Sequence, residues 1–122
     1  MARPFACSDS GGTMLERDVI KGILTLLKDR GAWGIKIHGD PYQPKVVDIL
    51  ACYRGRFVAI EAKRDEHQAP TAIQRRCLEQ IREAGGWTVV AWKAVQVEIL
   101  LNAIDMRRYS VRELGDPLAK DI

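Results

Sequence analysis

Residues 46–63 have the sequence VVDILACYRGRFVAIEAK, and this stretch decides the fold. Two mostly apolar runs, 46–53 and 56–62, predict two strands with Arg54-Gly55 between them. The second position of a tight two-residue turn needs a positive φ, which glycine adopts readily. The stretch therefore predicts an antiparallel hairpin.

The hairpin register predicts where its charged side chains lie. If Tyr53 faces Arg56 across the turn, Asp48 lies directly opposite Glu61, provided that no bulge interrupts the ladder. Lys63 lies two residues beyond Glu61 and points to the same face. Two opposed carboxylates in an apolar hairpin repel each other, and a divalent cation such as Mg²⁺ would offset that cost. A salt bridge from Lys63 to either carboxylate is the alternative.

Helical and strand patterns surround this hairpin. They predict a helix over 13–30, a strand over 33–37, a helix over 71–84, a strand over 87–92 and a helix that includes 97–104. Thr13 with Glu16, and Thr71 with Gln74, fit the pattern that caps a helix start. The order αβββαβα predicts an α/β fold in which helices flank one mixed sheet.

Composition limits the class of protein. The chain has 122 residues, of which 47% are apolar and 29% charged, as in one globular domain. We expect a flexible arm at 1–12, the folded domain at 13–106 and a charged tail at 107–122. No apolar run approaches the ~20 residues of a membrane span. Three cysteines without a Cys-x-x-Cys pair favour reduced thiols in a cytoplasmic protein. The net charge of +3 is too small to identify a nucleic-acid binder.

Asp48 followed by Glu61-Ala62-Lys63 resembles the signature of the PD-(D/E)XK nucleases. Together with residues 41–43, the hairpin, residues 71–74 and the helix end at 84–86, it resembles the virus-type replication–repair nuclease (VRR-NUC) group, which is similar to Holliday-junction resolvases. The resemblance implies a restriction-endonuclease-like domain with Mg²⁺- or Mn²⁺-dependent DNA endonuclease activity. It also implies branched or structured DNA as substrate, a homodimer, and a bacterial or phage-infected cell as the setting.

The resemblance assigns roles to individual residues. Asp48, Glu61 and the backbone carbonyl of Ala62 would hold the metal, and Lys63 would orient or activate the attacking water. Glu16 matches a first-helix glutamate that helps hold the metal through water or a second ion. Gln74 matches a glutamine that follows the Glu-x-Lys strand. Both residues also fit helix capping, so a structural role stays open for each.

Basic side chains around these elements are candidates for contacts to DNA phosphates. They are Arg54, Arg56, Arg64, Arg75, Arg76 and Lys93. An ordinary solvated charged surface is the alternative for each of them. Tyr42 would stack on a base or cover the core. Two other functions stay open for the chain: a catalytically inactive nucleic-acid binding module on a nuclease fold, and an assembly protein that contacts a partner through its basic edge.

Overall fold

The computed structural model describes residues 15–39, 42 and 47–113, with side chains through Arg107. Its elements are α1 (Glu16–Asp29), β1 (Trp33–Lys36), β2 (Ile49–Tyr53), β3 (Arg56–Ala62), α2 (Ala72–Glu83), β4 (Trp87–Ala91) and α3 (Ala94–Glu113). This order confirms the predicted αβββαβα arrangement and the α/β class.

The four strands form one mixed sheet in the order β1-β2-β3-β4. The β1–β2 and β2–β3 pairs are antiparallel, whereas β4 is parallel to β3 and is reached through α2. Arg54 (φ 51°) and Gly55 (φ 79°) both have positive φ, as a type I′ turn requires. The predicted register is confirmed in the pairs from Tyr53↔Arg56 to Ile49↔Ile60.

Helices cover both faces of the sheet. α1 and α3 share one core with the face of β3 that carries Val58 and Ile60. On the other face, Leu78 of α2 packs with Ala59 and Val47. Because side chains alternate along a strand, Glu61 lies on the α2 face, like Ala59. The hairpin therefore presents Glu61 beside the first turn of α2.

The helix ends differ from the predicted ones. α1 begins at Glu16, with Leu15 as its N-cap and no capping side-chain hydrogen bond. Glu16 is thus the first residue of the helix rather than the last position of a capping box, and its charge stabilises the helix N-terminus. Thr13 lies outside the described residues. α3 continues to Glu113, so the predicted boundary at residue 106 falls inside the helix. The helix continues because no glycine or proline lies between Ala94 and Gly115.

The predicted arm at 1–12 lies outside the described residues, as does the part of the predicted tail from 114 to 122. β2 begins at Ile49, later than the predicted start at residue 46. None of the described helices is long and apolar enough to cross a membrane.

Candidate metal and nucleic-acid site

Asp48 sits where the chain bends into β2, and its backbone departs from the regular ladder that we predicted. Its N–H donates to the carbonyl of Ile60 (3.1 Å), while its carbonyl accepts from the N–H of Ile37 (2.7 Å). In a regular strand, the N–H and the C=O of one residue point to the same neighbouring strand. The expected direct pairing of Asp48 with Glu61 in a regular ladder is therefore wrong, because Asp48 also bonds to the chain just after β1.

The bend still brings the two carboxyl groups together. Asp48 and Glu61 are 0% and 1% exposed, and the N–H of Ala62 donates to Asp48 Oδ2 (2.7 Å). Burial, together with the neighbouring Asp48 carboxylate, raises the pKa of Glu61 to about 7, although Lys63 acts in the opposite direction. Glu61 Oε1 is buried and accepts no hydrogen bond within the described part of the chain. A buried carboxylate oxygen that accepts no hydrogen bond favours a bound cation.

Lys63 and Gln74 complete the cluster. Lys63 Nζ lies 3.2 Å from Glu61 Oε2 and donates to Gln74 Oε1 at 3.1 Å. Gln74 Oε1 also accepts from the N–H of Thr71 (2.9 Å), and the Gln74 N–H donates to Thr71 Oγ1 (3.2 Å). Gln74 therefore caps α2 and positions Lys63 at the same time. The Lys63–Glu61 salt bridge, our alternative to a metal, is present as well.

The donor set fits a hard divalent cation. Two carboxylates face one ammonium group, which leaves one formal negative charge in a buried position. Mg²⁺ and Mn²⁺ prefer carboxylate, carbonyl and water oxygens, which agrees with these donors. Within residues 15–39, 42 and 47–113, no third His, Cys, Asp or Glu joins the pair. Backbone and water would have to complete the coordination of a single ion.

The predicted accessory residues separate into two groups. Arg64 directly follows Lys63, Arg75 and Arg76 lie exposed in the first turns of α2, and Lys93 follows β4. The N–H of Lys63 donates to the carbonyl of Ala91 (2.8 Å), so the end of β4 is near the carboxylates. These four basic residues belong to the segments that meet at the carboxylate end of the hairpin.

Two predicted contacts lie elsewhere. Arg54 lies in the turn and Arg56 follows it, and the five strand steps from Arg56 to Glu61 span about 17 Å. Glu16 is half-buried at the start of α1 and does not form a three-carboxylate group with Asp48 and Glu61 in the described structure. Tyr42 is 93% exposed, which excludes the alternative that it covers the core.

The turn end holds a network that the sequence did not indicate. Asp105 of α3 accepts from the Tyr53 hydroxyl (2.9 Å) and from Arg30 (3.2 Å), and it forms an ion pair with Arg54. Arg54 also stacks on the Tyr53 ring, with 5.0 Å from the guanidinium carbon to the ring centre. Burial opposes ionisation of Asp105, but the Tyr53 and Arg54 hydrogen bonds outweigh it and lower its pKa. Tyr53 and Asp105 are 52 positions apart, and no local pattern links them.

Comparison with known proteins supports this architecture. A scan against protein-family models and a search of curated proteins give no match. Among solved structures, the chain is similar to one described as a VRR-NUC domain, with 26% sequence identity and a TM-score of 0.62. The similarity covers 71% of this chain and 94% of that domain.

Fold and site together define a nuclease-like α/β domain, in which the end of a hairpin presents acidic and basic side chains beside the following helix. The domain has the VRR-NUC fold, as its sequence pattern predicts.

Proposed function

We propose that this protein is a divalent-metal-dependent DNA endonuclease that hydrolyses phosphodiester bonds. One observation carries the proposal: two buried carboxyl groups, Asp48 and Glu61, meet a single lysine, and one Glu61 oxygen accepts no hydrogen bond from the described residues. A purely structural ion pair needs one carboxylate rather than two. The VRR-NUC fold supports nuclease chemistry at this place.

Each side chain of the cluster has a role. Asp48 and Glu61, with the Ala62 carbonyl, would hold Mg²⁺ or Mn²⁺. Such an ion, when bound, polarises the phosphodiester and lowers the pKa of a water molecule. Lys63, held by Gln74 at 3.1 Å, carries a positive charge to the phosphate and to the attacking water. Glu16 would act from a greater distance, through water or a second ion.

DNA would reach the cluster along the basic side chains around it. Arg64, Arg75, Arg76 and Lys93 are exposed or near the surface at this end of the sheet and supply sequence-independent contacts to phosphate. The exposed Tyr42 would stack on a base. Branched DNA as substrate and action as a homodimer rest on the similarity of the group to resolvases, and the cytoplasmic setting rests on three cysteines without a Cys-x-x-Cys pair.

The test is cleavage of linear, flap, fork and four-way DNAs in Mg²⁺, in Mn²⁺ and in EDTA, with Glu61→Gln as the matched inactive variant. We expect metal-dependent cleavage by the parent, fastest on a branched substrate, and none by the variant. Metal-independent cutting, or equal cutting by both proteins, would contradict the proposed site.

A second candidate is an inactive nucleic-acid binding module. The Lys63–Glu61 ion pair favours it, because it partly neutralises the site without a metal. Filter binding in EDTA separates the two functions. A module would bind DNA equally with and without metal and cut none of the substrates, and calorimetry would detect no Mg²⁺ or Mn²⁺ binding at millimolar concentration.

A further inference from the structure

A second basic site lies at the opposite end of the sheet. A cleft of about 510 Å³ opens between the end of α2, the start of β4 and α3. Three arginine side chains line it, together with Gly85, Gly86, Trp87 and Thr88; the arginines are Arg56, Arg82 and Arg107. No acidic side chain is among these lining residues. Three like charges around one space repel each other and favour an anion between them.

The charges of the described residues do not neutralise this cleft. Arg82 donates to Thr88 Oγ1 (2.7 Å), whereas Arg56 and Arg107 make no ion pair or side-chain hydrogen bond to the described residues. The nearby carboxylate of Asp105 is already shared by Arg30 and Arg54. The C-terminus of α2 contributes about half a negative charge, which accounts for one arginine in its last turn but not for three.

The cleft and the carboxylate cluster lie at opposite ends of the same helix. Gln74 is in the first turn of α2 and Arg82 is in its last, and about 12 Å of helical rise separates them. Along β3, Arg56 and Glu61 are about 17 Å apart. These separations correspond to roughly three to five nucleotide steps of a DNA strand.

We propose that the arginine cleft, formed by Arg56, Arg82 and Arg107, binds a backbone phosphate of the DNA whose scissile bond lies at the carboxylate cluster. The inference rests on the proposed function for the identity of the ligand, since the chemistry of the cleft itself requires only a phosphate-like anion. DNA would then contact the protein at both ends of α2. The remote contact adds affinity and sets the direction in which the strand leaves the site.

The test measures binding of a fluorescent 20-base-pair duplex in EDTA over a range of salt concentrations. The variants are Arg56→Gln, Arg107→Gln and the double variant. We expect each single change to lower the slope of log K against log salt by about 0.9, which at 0.1 M salt corresponds to roughly eightfold weaker binding. The matching Arg→Lys variants keep the charge and should keep the slope.

Two controls identify the ligand and the place. Lys21→Gln with Lys28→Gln removes the same charge as the double variant from exposed positions of α1, outside the residues that line the cleft, and should leave the slope within 0.3 of the parent value, where ~0.3 is a third of one contact. Inorganic phosphate at 10 mM should raise the melting temperature of the parent but not of the double variant, compared with chloride at equal ionic strength.

The outcomes separate this inference from the proposed function. If the double variant binds the DNA duplex with the same affinity and salt slope as the parent, the inference is overturned, even if the parent cleaves DNA. Stabilisation by phosphate without an effect on DNA binding would overturn it too, because the cleft would then take a small anion only. If the parent does not cleave while the variants lose affinity, the proposed function fails, and the inference stands only as a site for a DNA backbone phosphate, without a scissile bond at the carboxylate cluster.

Discussion

The two ends of the β2–β3 hairpin differ in charge balance and in burial. At the open end, two buried carboxylates, Asp48 and Glu61, share one lysine. At the turn end, Asp105 is shared by Arg30 and Arg54, and Arg30 also forms an ion pair with Glu98 (3.9 Å), so two arginines face two carboxylates that remain partly exposed to water. The open end keeps an excess negative charge, whereas the charges of the turn network balance.

The difference shows that charge balance and burial together decide the consequence of a charged cluster. Water and salt screen the balanced, partly exposed network at the turn, so the network there costs little and contributes little. The excess negative charge at the open end is shielded from water, and it raises the pKa of Glu61 instead. We therefore interpret the open end as a place for a cation and the turn end as a structural contact between the hairpin and α3.

Glu61→Gln should give the largest effect of any change in this comparison. The variant loses a metal ligand while keeping the volume of the side chain, so we expect cleavage to fall by on the order of 10³ or more. Without metal, the variant should be more stable than the parent, because a buried like-charge pair is removed. Cleavage rates and melting curves in EDTA and in Mg²⁺ measure both effects, and a variant that is less stable in EDTA would contradict our account of the open end.

Lys63→Gln should give the second-largest effect. The ammonium group acts on charge that develops in the transition state, so turnover should drop by roughly 10²–10³ while DNA affinity changes little. Arg75→Gln is the matched control, because it removes one positive charge from the neighbouring α2 and should weaken binding rather than turnover. Equal losses in both quantities for both variants would make Lys63 one more contact to the backbone.

The pH dependence of stability should have opposite signs at the two ends. With a pKa of about 7, folded Glu61 in EDTA keeps its proton up to near that pH, whereas the unfolded side chain loses it near the ordinary glutamate pKa of 4.5. The unfolded state then binds fewer protons, so the free energy of unfolding should fall between these values by up to about 1.4 kcal/mol per pH unit.

Asp105 should act in the other direction. Its lowered pKa means that the unfolded state binds more protons, so its stabilisation is present above the unfolded value of 3.8 and is lost as the pH falls through the folded value. Denaturation curves of the parent and Glu61→Gln from pH 3.5 to 8 test the sign for Glu61, and curves of the parent and Asp105→Asn, continued to lower pH, test the sign for Asp105. The difference between the two proteins should grow up to pH 7 and vanish below 4.5.

The sequence alone predicted the structural features that depend on residues close together in the chain. The turn residues, the register up to Ile49↔Ile60 and the meeting of Lys63 with Glu61 all follow from local spacing. Gln74 follows a predictable cap, Thr71, and its second contact to Lys63 places it in the cluster. These features could be predicted because a turn type and a two-residue strand period fix them.

The remaining features depend on contacts between residues that no helix or strand periodicity relates. The bend at Asp48 is held partly by a hydrogen bond from the N–H of Ile37, and no local sequence pattern relates Ile37 to Asp48. The Tyr53–Asp105 hydrogen bond joins the hairpin to a helix after two further elements. Arg54 was predicted to contact DNA because it lies near the hairpin in sequence, but the structure shows it paired with Asp105, and its contact to DNA stays a prediction.

The turn itself tests whether the two ends are coupled. Gly55 has φ 79°, and Gly55→Val should cost on the order of 1–3 kcal/mol of stability through backbone strain. If the turn sets the register, metal affinity should fall as well, because a slipped ladder displaces Asp48 from Glu61. Gly31→Val is the matched control, since Gly31 has φ 78° and its Cβ would have open space around it. It should lose similar stability and keep the metal affinity of the parent.

Asp105→Asn should give the smallest effect. The amide keeps one acceptor for Tyr53 or Arg30 and loses only the charge, which at a partly exposed position contributes about 0–1 kcal/mol to stability. Cleavage in Mg²⁺ should stay close to the parent value, because the network lies about 17 Å along β3 from Glu61. High salt should abolish the small stability difference, whereas it should leave the effect of Glu61→Gln largely intact, since screening acts on exposed charges and much less on buried ones. A salt-insensitive loss at Asp105 would mean that burial governs both ends of the hairpin, and the contrast between them would no longer hold.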